Sequence, residues 1–321
     1  MTPAALAASV TALLGRAIGP VEPLAVAVSG GPDSLALLWL AHAAFGGRVR
    51  ALTVEHGLRP GSPDTAVAAA AAGSLGVPHA TLAWTGAKPS ANRQAAARAA
   101  RYALMRDWCA ARGVAWLVTA HSVDDQAETL LLRLARGAGS GGLAGIRPRR
   151  ALGGGVTLLR PLLGATRTSL AAIVAAAGWT AADDPSNRSP AFDRTHARAL
   201  LAATPWLAPA RLAASAAHLA DDDAALTWTA DRAWASRVDV SGATITIDAA
   251  GLPHALQRRL IVRAVTTLDT GAMPRGPAVE RLLGRLAAGS GGTLAGIGAR
   301  CSAQGGKARW LFRPAPPRRQ T

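Results

Sequence analysis

Two patterns of apolar and polar positions alternate along the first two-thirds of the chain. Short apolar runs at 24–28, 49–54, 80–84, 114–119 and 156–159 have the length expected of strands buried in a parallel sheet. Stretches at 34–44, 64–74, 92–112, 123–135 and 167–177 read as helices, several of them Ala-rich. This βα alternation predicts an α/β fold, a parallel sheet with helices on both faces. Ligands of such sheets sit beyond the carboxyl ends of the strands.

The pattern changes after about residue 205. Pro209 suits the first turn of a long helix over 209–234, and helices at 253–268 and 277–287 follow. A closing strand pair is expected at 293–300 and 308–312, joined by Gly305-Gly306. The chain is therefore expected to divide into a domain at 1–205 and a smaller, mostly helical region at 206–321. Residues 137–155, rich in Gly and Arg, read as a mobile loop, and the tail 314–321 as disordered. There is no internal repeat.

Composition adds a partner and a setting. A length of 321 residues fits two domains, and 50% hydrophobic residues can fill their cores. The formal net charge of +16 points to a polyanion, most simply a nucleic acid. Arg dominates the basic residues, with Lys88 and Lys307 the only lysines. A GC-rich coding bias explains Arg in place of Lys, but not the scarcity of acidic residues. Cys109 and Cys301 lie far apart, which argues against a structural disulfide or a cysteine zinc site and for a reducing cytoplasm. The apolar stretch 4–14 follows no basic residue and is interrupted by Ser9 and Thr11, as in an amphipathic helix rather than a secretory signal. No apolar run is long enough to span a membrane, so a soluble protein is expected.

The loop Ser29-Gly30-Gly31-Pro32-Asp33-Ser34 follows the first strand and precedes the first sheet-packed helix. There, backbone N–H groups and a helix N-terminus can face an anion. Gly30 and Gly31 permit close approach and positive φ, and the two serine hydroxyls can donate to phosphate. No lysine follows, so this is not a Walker A loop. An aspartate inside a phosphate loop repels phosphate unless a cation intervenes, which makes Asp33 a Mg²⁺ ligand. The bland alternative is an ordinary Gly-rich turn.

A second cluster, His121-Ser122-Val123-Asp124-Asp125-Gln126-Ala127-Glu128, lies at the carboxyl end of the fourth strand. Helical spacing puts Glu128 on one face with Asp124 and Asp125. Carboxylates that close repel unless a metal or an ammonium sits between them. The alternative is a helix start, with the aspartates complementing the dipole and all three carboxylates solvated. His42, His79, His218 and His254 stand singly and read as packing or surface residues; Trp39, Trp116 and Trp179 read as core.

These residues carry a resemblance. The 29–34 loop resembles that of the N-type ATP pyrophosphatases, the PP-loop superfamily. Glu55-His56-Gly57-Leu58-Arg59, Arg98 with Arg101-Tyr102, the 120–129 segment, Arg136-Gly137, Gly142-Leu143 and Arg160-Pro161-Leu162-Leu163 resemble the tRNA(Ile)-lysidine synthetase family. So does Asp184-Pro185-Ser186-Asn187 through Arg194 to Arg198. The likeness runs in order over about 24–205. It implies a Rossmann-like fold of the adenine nucleotide alpha hydrolase type and a carbon–nitrogen ligase. ATP would adenylylate O2 of the wobble cytidine of an isoleucine tRNA with a CAU anticodon. The amine of free L-lysine would then displace AMP, giving lysidine. The resemblance implies Ser29, Gly30, Gly31, Pro32, Asp33 and Ser34 on ATP, with Asp33 on Mg²⁺. It places Arg101 and His121 near the reacting phosphate. Asp125 and Glu128 would hold lysine or a second metal, and Asn187, Arg194 and Arg198 would order a gate or touch tRNA. Residues 206–321 would bind tRNA, and a homodimer stays open. Glu55 stands where the family carries Asp, and Thr195-His196 where it carries Asn-Arg. Sulfur-transferring relatives need cysteine pairs that this chain lacks. An amidotransferase-coupled ligase resembles nothing here. A non-catalytic binding module would not need both Asp33 and the second carboxylate cluster.

Overall fold

The computed structural model describes residues 1–55, 57, 63–85, 88–89, 93–182, 193–304 and 307–316. The chain forms two compact units, Met1–Ala220 and Asp221–Thr321. In order, the first holds α1 (Pro3–Leu14), β1 (Leu24–Ala27), α2 (Pro32–Phe45), β2 (Val49–Glu55), α3 (Asp64–Ser74), β3 (His79–Ala83) and α4 (Arg93–Ala110). Then come β4 (Trp116–Val118), α5 (Val123–Ala135), α6 (Ser140–Leu143), β5 (Arg149–Gly153), β6 (Val156–Leu159), α7 (Arg167–Ala176) and α8 (Asp193–Ala203). Helix α9 (Pro209–Arg237) contains the division between the units.

The first unit's sheet has the order β3-β2-β1-β4-β6-β5. All pairings are parallel except β5 with β6. Alternate residues of β1 face opposite layers. Leu24 and Val26 join a core with Leu35 and Leu38 of α2 and Leu170 of α7, while Ala25 packs with Tyr102, Met105 and Cys109 of α4. Helices thus cover both faces, as the apolar runs imply. Strand order reverses between β1 and β4, and a crevice forms at such a switch point beyond the strand ends.

Residues 137–155 are not the loop expected. They hold α6 and the edge strand β5, which turns into β6 through glycines at positive φ, Gly153 to Gly155. Edge strands tolerate such polar, Gly-flanked sequence because only one side is paired.

The second unit adds β7 (Val238–Ser241), β8 (Thr244–Asp248), α10 (His254–Leu268), α11 (Gly276–Ala287), β9 (Gly292–Leu294), β10 (Ile297–Gln304) and β11 (Lys307–Pro314). The closing strand pair is there, but it belongs to a five-stranded antiparallel sheet, β7-β8-β11-β10-β9. Ile245 and Ile247 of β8 and Trp310 and Phe312 of β11 pack with Leu260 and Ile261 of α10 and Leu283 of α11. The β7–β8 hairpin escapes a sequence reading because its strands are short and β7 is largely exposed. Gly305-Gly306 and residues 317–321 of the tail lie outside the described residues. No helix among those described is long and apolar enough to cross a membrane. Trp39, Trp116 and Trp179 pack against the first core while staying partly exposed, and Trp206 and Trp228 are exposed.

Candidate active site

The 29–34 loop leaves β1 and enters α2, whose first residue, Pro32, supplies the fixed φ that a helix start needs. Inside it, the Ser34 hydroxyl donates to the Gly31 carbonyl at 2.9 Å and accepts from the Ser29 N–H at 3.1 Å. The two glycines differ. Gly30 has φ +77°, and a Cβ there would lie 2.6 Å from the Asp64 carbonyl oxygen. Gly31 caps α2 at φ −77°, and a Cβ there would meet only Ser29 Oγ, at 3.8 Å. Positive φ is therefore required at Gly30 alone, and the close approach there is to the start of α3.

Asp33 occupies the first turn of α2, with 21% of its side chain exposed. Burial pushes its carboxyl up to about 6; Arg167 pulls the other way, while Asp125 and Asp124 add to the rise. Its Oδ1 is buried with no hydrogen-bond partner among the described residues.

Helix α5 opens with a capping box: Asp125 Oδ2 accepts from the Ser122 N–H at 2.9 Å and from the Ser122 hydroxyl at 3.2 Å. The helix start is real, but Asp125 and Glu128 are buried rather than solvated, and Asp125 Oδ1 faces the Arg167 guanidinium at 3.7 Å. Glu128 is fully buried. Its Oε1 accepts from Arg198 Nε at 2.7 Å and Arg167 Nη2 at 3.0 Å, and Arg194 Nε lies 3.9 Å from Oε2. The cation expected between these carboxylates is therefore, in part, the chain's own arginine.

Arg167 carries no sequence signal, yet its guanidinium reaches Asp33, Asp125 and Glu128. It begins α7, and its N–H donates to Asp124 Oδ2 at 2.7 Å.

His121 follows β4. Its Nδ1 is 3.0 Å from Thr119 Oγ1, and its Nε2 is 3.5 Å from Arg98 Nη2. Arginine only donates, so Nε2 accepts and Nδ1 carries the proton. Burial pushes this imidazole down to about 3, with Asp125 opposing and Arg160, Arg98 and Arg194 reinforcing. It is neutral at physiological pH. Burial and neighbouring Arg98 also depress Arg101.

A cavity of about 280 Å³ gathers these groups: Ser29, Asp33, Arg101, His121, Asp125 and Arg194 all line it. Asn187, His56, Leu58 and Arg59 lie outside the described residues. Among those described, no group of three or more His, Cys, Asp or Glu could hold a metal ion by itself.

Comparison with known proteins shows the family. The PP-loop domain family profile matches residues 6–204. The tRNA(Ile)-lysidine synthase of Zymomonas mobilis subsp. mobilis is 43% identical over 92% of this chain and 90% of its own length. That of Methylobacterium sp. (strain 4-46) is 44% identical over 94% of this chain and 92% of its own. Among solved structures, the U34-tRNA thiolase NcsA from Methanococcus maripaludis superposes with a TM-score of 0.56. It covers 67% of this chain and 78% of that one at 16% identity, a likeness of fold alone. With a PP-loop domain over its first unit and relatives this similar along nearly its whole length, the chain belongs to the tRNA(Ile)-lysidine synthase family.

Proposed function

We propose that the crevice between the ends of β1 and β4 is where this chain forms lysidine on tRNA(Ile) with ATP. Family membership carries the reaction; one observation carries its place. The 29–34 loop and the His121 segment leave adjacent strands and open into the same cavity. In the first step, O2 of the wobble cytidine in the CAU anticodon attacks the α-phosphorus of ATP. An O–P bond forms and pyrophosphate leaves. In the second, the amine of free lysine attacks C2, the C2–O2 bond breaks, AMP departs with the oxygen, and the nitrogen gives up a proton.

Each residue has a part suited to its surroundings. The loop N–H groups and the Ser29 hydroxyl hold phosphate oxygens, while the Ser34 hydroxyl, donating to the Gly31 carbonyl, keeps the loop in shape. Arg101, whose charge burial destabilises, gains from an α-phosphate beside it. His121, neutral, holds Arg98 in place and presents no competing charge.

Asp33 fits a Mg²⁺ ion, having a buried oxygen without a partner among the described residues and a carboxyl that resists ionising alone. Protein sites commonly hold Mg²⁺ through about one or two carboxylates plus substrate phosphates. The ion would neutralise charge on departing pyrophosphate. Asp125 Oδ1 is our choice for the lysine ammonium, since Oδ2 is engaged in the cap and Glu128 by arginines. Arg194 and Arg198, bound to Glu128, would order the cavity's rim. Residues 206–321 would supply a tRNA-binding surface, and the cytoplasm the setting.

Incubation with labelled lysine, ATP and a CAU-anticodon isoleucine tRNA, followed by nucleoside analysis, is expected to give lysidine with AMP in equal amount. Folded protein that forms neither product overturns the reading.

A further inference from the structure

A second hollow, of about 330 Å³, adjoins the catalytic cavity, and Arg98 and Tyr102 line both. Its floor is small and apolar: Ala95, Ala99 and Ala103 recur at helical spacing along α4, with Leu152 of β5 opposite. Its polar groups are Arg98, Arg106, Arg150 and the Tyr102 ring, and among the described residues no carboxylate lines it. Arg106 has its neighbour Asp107 as an ion-pair partner at 2.7 Å.

Arg98 and Arg150 are exposed, but both lie over one ring. Their guanidinium carbons lie 5.3 Å and 5.5 Å from the centroid of the same Tyr102 ring. That tyrosine is buried, and Arg160, itself only 4% exposed and bound to the Arg147 carbonyl, gains electrostatically from it. The buried ring thus gives both guanidiniums a common seat, and groups partly oriented in advance lose less freedom on binding. The mutual repulsion of Arg98, Arg150 and Arg160 is relieved by no acid among the described residues lining this hollow, and an anion would relieve it. Edge-strand arginines also serve to discourage strand pairing. That accounts for Arg149, which turns toward the Leu13 carbonyl, but not for Arg150, which folds back over Tyr102.

We infer that Arg98 and Arg150, braced on Tyr102, clamp a phosphodiester of the RNA strand beside the nucleotide held in the catalytic cavity. The inference rests on the cavity being the site of tRNA modification. Each further phosphate of a polynucleotide lies one residue along the strand, so an RNA can fill the cavity and the hollow together. ATP has its own phosphate site at the 29–34 loop, and it is the other phosphate source the test must separate.

The test uses the full chain with Arg150→Gln, Arg150→Lys and the double variant Arg150→Gln/Arg106→Gln. Binding of the isoleucine tRNA is followed by fluorescence anisotropy over a range of salt, and the KM for ATP is measured alongside. Arg150→Gln is expected to weaken tRNA binding about tenfold at low salt. It should also reduce the log–log salt slope by about 0.7, the share of one phosphate contact on a single strand. Arg150→Lys keeps the slope, and the KM for ATP stays within about twofold throughout, which also reports an intact fold. Independently, ethylating single anticodon-loop phosphates should weaken binding to the unmodified protein at one position and have no effect there on Arg150→Gln. Unchanged tRNA affinity and slope in both Gln variants overturn the clamp, as does a raised KM for ATP with tRNA binding intact. A wild-type chain that makes no lysidine sinks the functional reading instead.

Discussion

Arg198 donates from Nε to Glu128 Oε1 at 2.7 Å, joining helices α8 and α5 across 70 residues of sequence. The same oxygen accepts from Arg167, so one fully buried carboxylate holds two guanidiniums, each about one-third exposed. Removing one member of such a group leaves buried charge uncompensated. Glu128→Gln is therefore expected to destabilise the protein by about 2–3 kcal/mol, below the cost at a wholly buried pair because the arginines reach water. Arg198→Gln should cost less, since Arg167 remains. Urea unfolding of both variants measures the difference, and equal losses would contradict the shared anchor.

Asp33 trades stability for its place in the cavity. Its folded pKa, raised to about 6 from 3.8, means that the folded state holds the proton more tightly than the unfolded chain. Its contribution is thus least favourable above pH about 6 and vanishes below the unfolded value. Asp33→Asn should raise the Tm of the ligand-free protein near pH about 7.5, with the gain fading as pH falls through about 6 to 4. The same variant should lose AMP formation while tRNA binding persists. A Tm difference independent of pH would refute the assigned shift. His121, pushed down to about 3, adds no charge change to an activity profile between about pH 5 and 8.

The two loop glycines should respond unequally. Gly30→Ala meets both a φ of +77° and the Asp64 backbone, and is expected to cost about 2 kcal/mol or more and to raise the KM for ATP. Gly30→Val should be inactive. Gly31→Ala, at φ −77° in open contact, should fold normally. Thermal melts with ATP titration distinguish them, and equal damage at both positions would count against the packing explanation.

Asp125→Asn keeps an acceptor for the Ser122 cap while removing charge from Oδ1. It is expected to raise the KM for lysine about ten- to a hundred-fold, with adenylylation of tRNA persisting. Trapping the adenylylated tRNA without lysine checks this. Loss of adenylylation itself would favour a metal at Asp125 over an ammonium.

Much of this is legible in the order of residues alone. Apolar runs mark β1, β2, β4 and β6, because strands buried on both faces need uninterrupted apolar sequence. Ser29, Asp33, His121 and Asp125 stand out from local order and reach one cavity because strand ends of a parallel sheet point the same way, whereas Arg194 is marked only by the family resemblance. Strands β5 and β7 leave weaker traces: both are short, largely exposed and free of the alternation that a covered face imposes.

Tertiary structure alone decides who partners whom. Arg167 stands 39 residues from Glu128 with nothing beside it to mark it, and the route from α5 through β5 and β6 to α7 delivers it to three carboxylates. The need for glycine at Gly30 comes from Asp64, on a helix beyond the next strand. Arg150 gains its direction only when β5 lies beside β6, against α4 and Tyr102. Local pattern reports which face of an element is buried and which turn begins it. The identity of the group across the gap depends on strand order and crossover, which no local window contains.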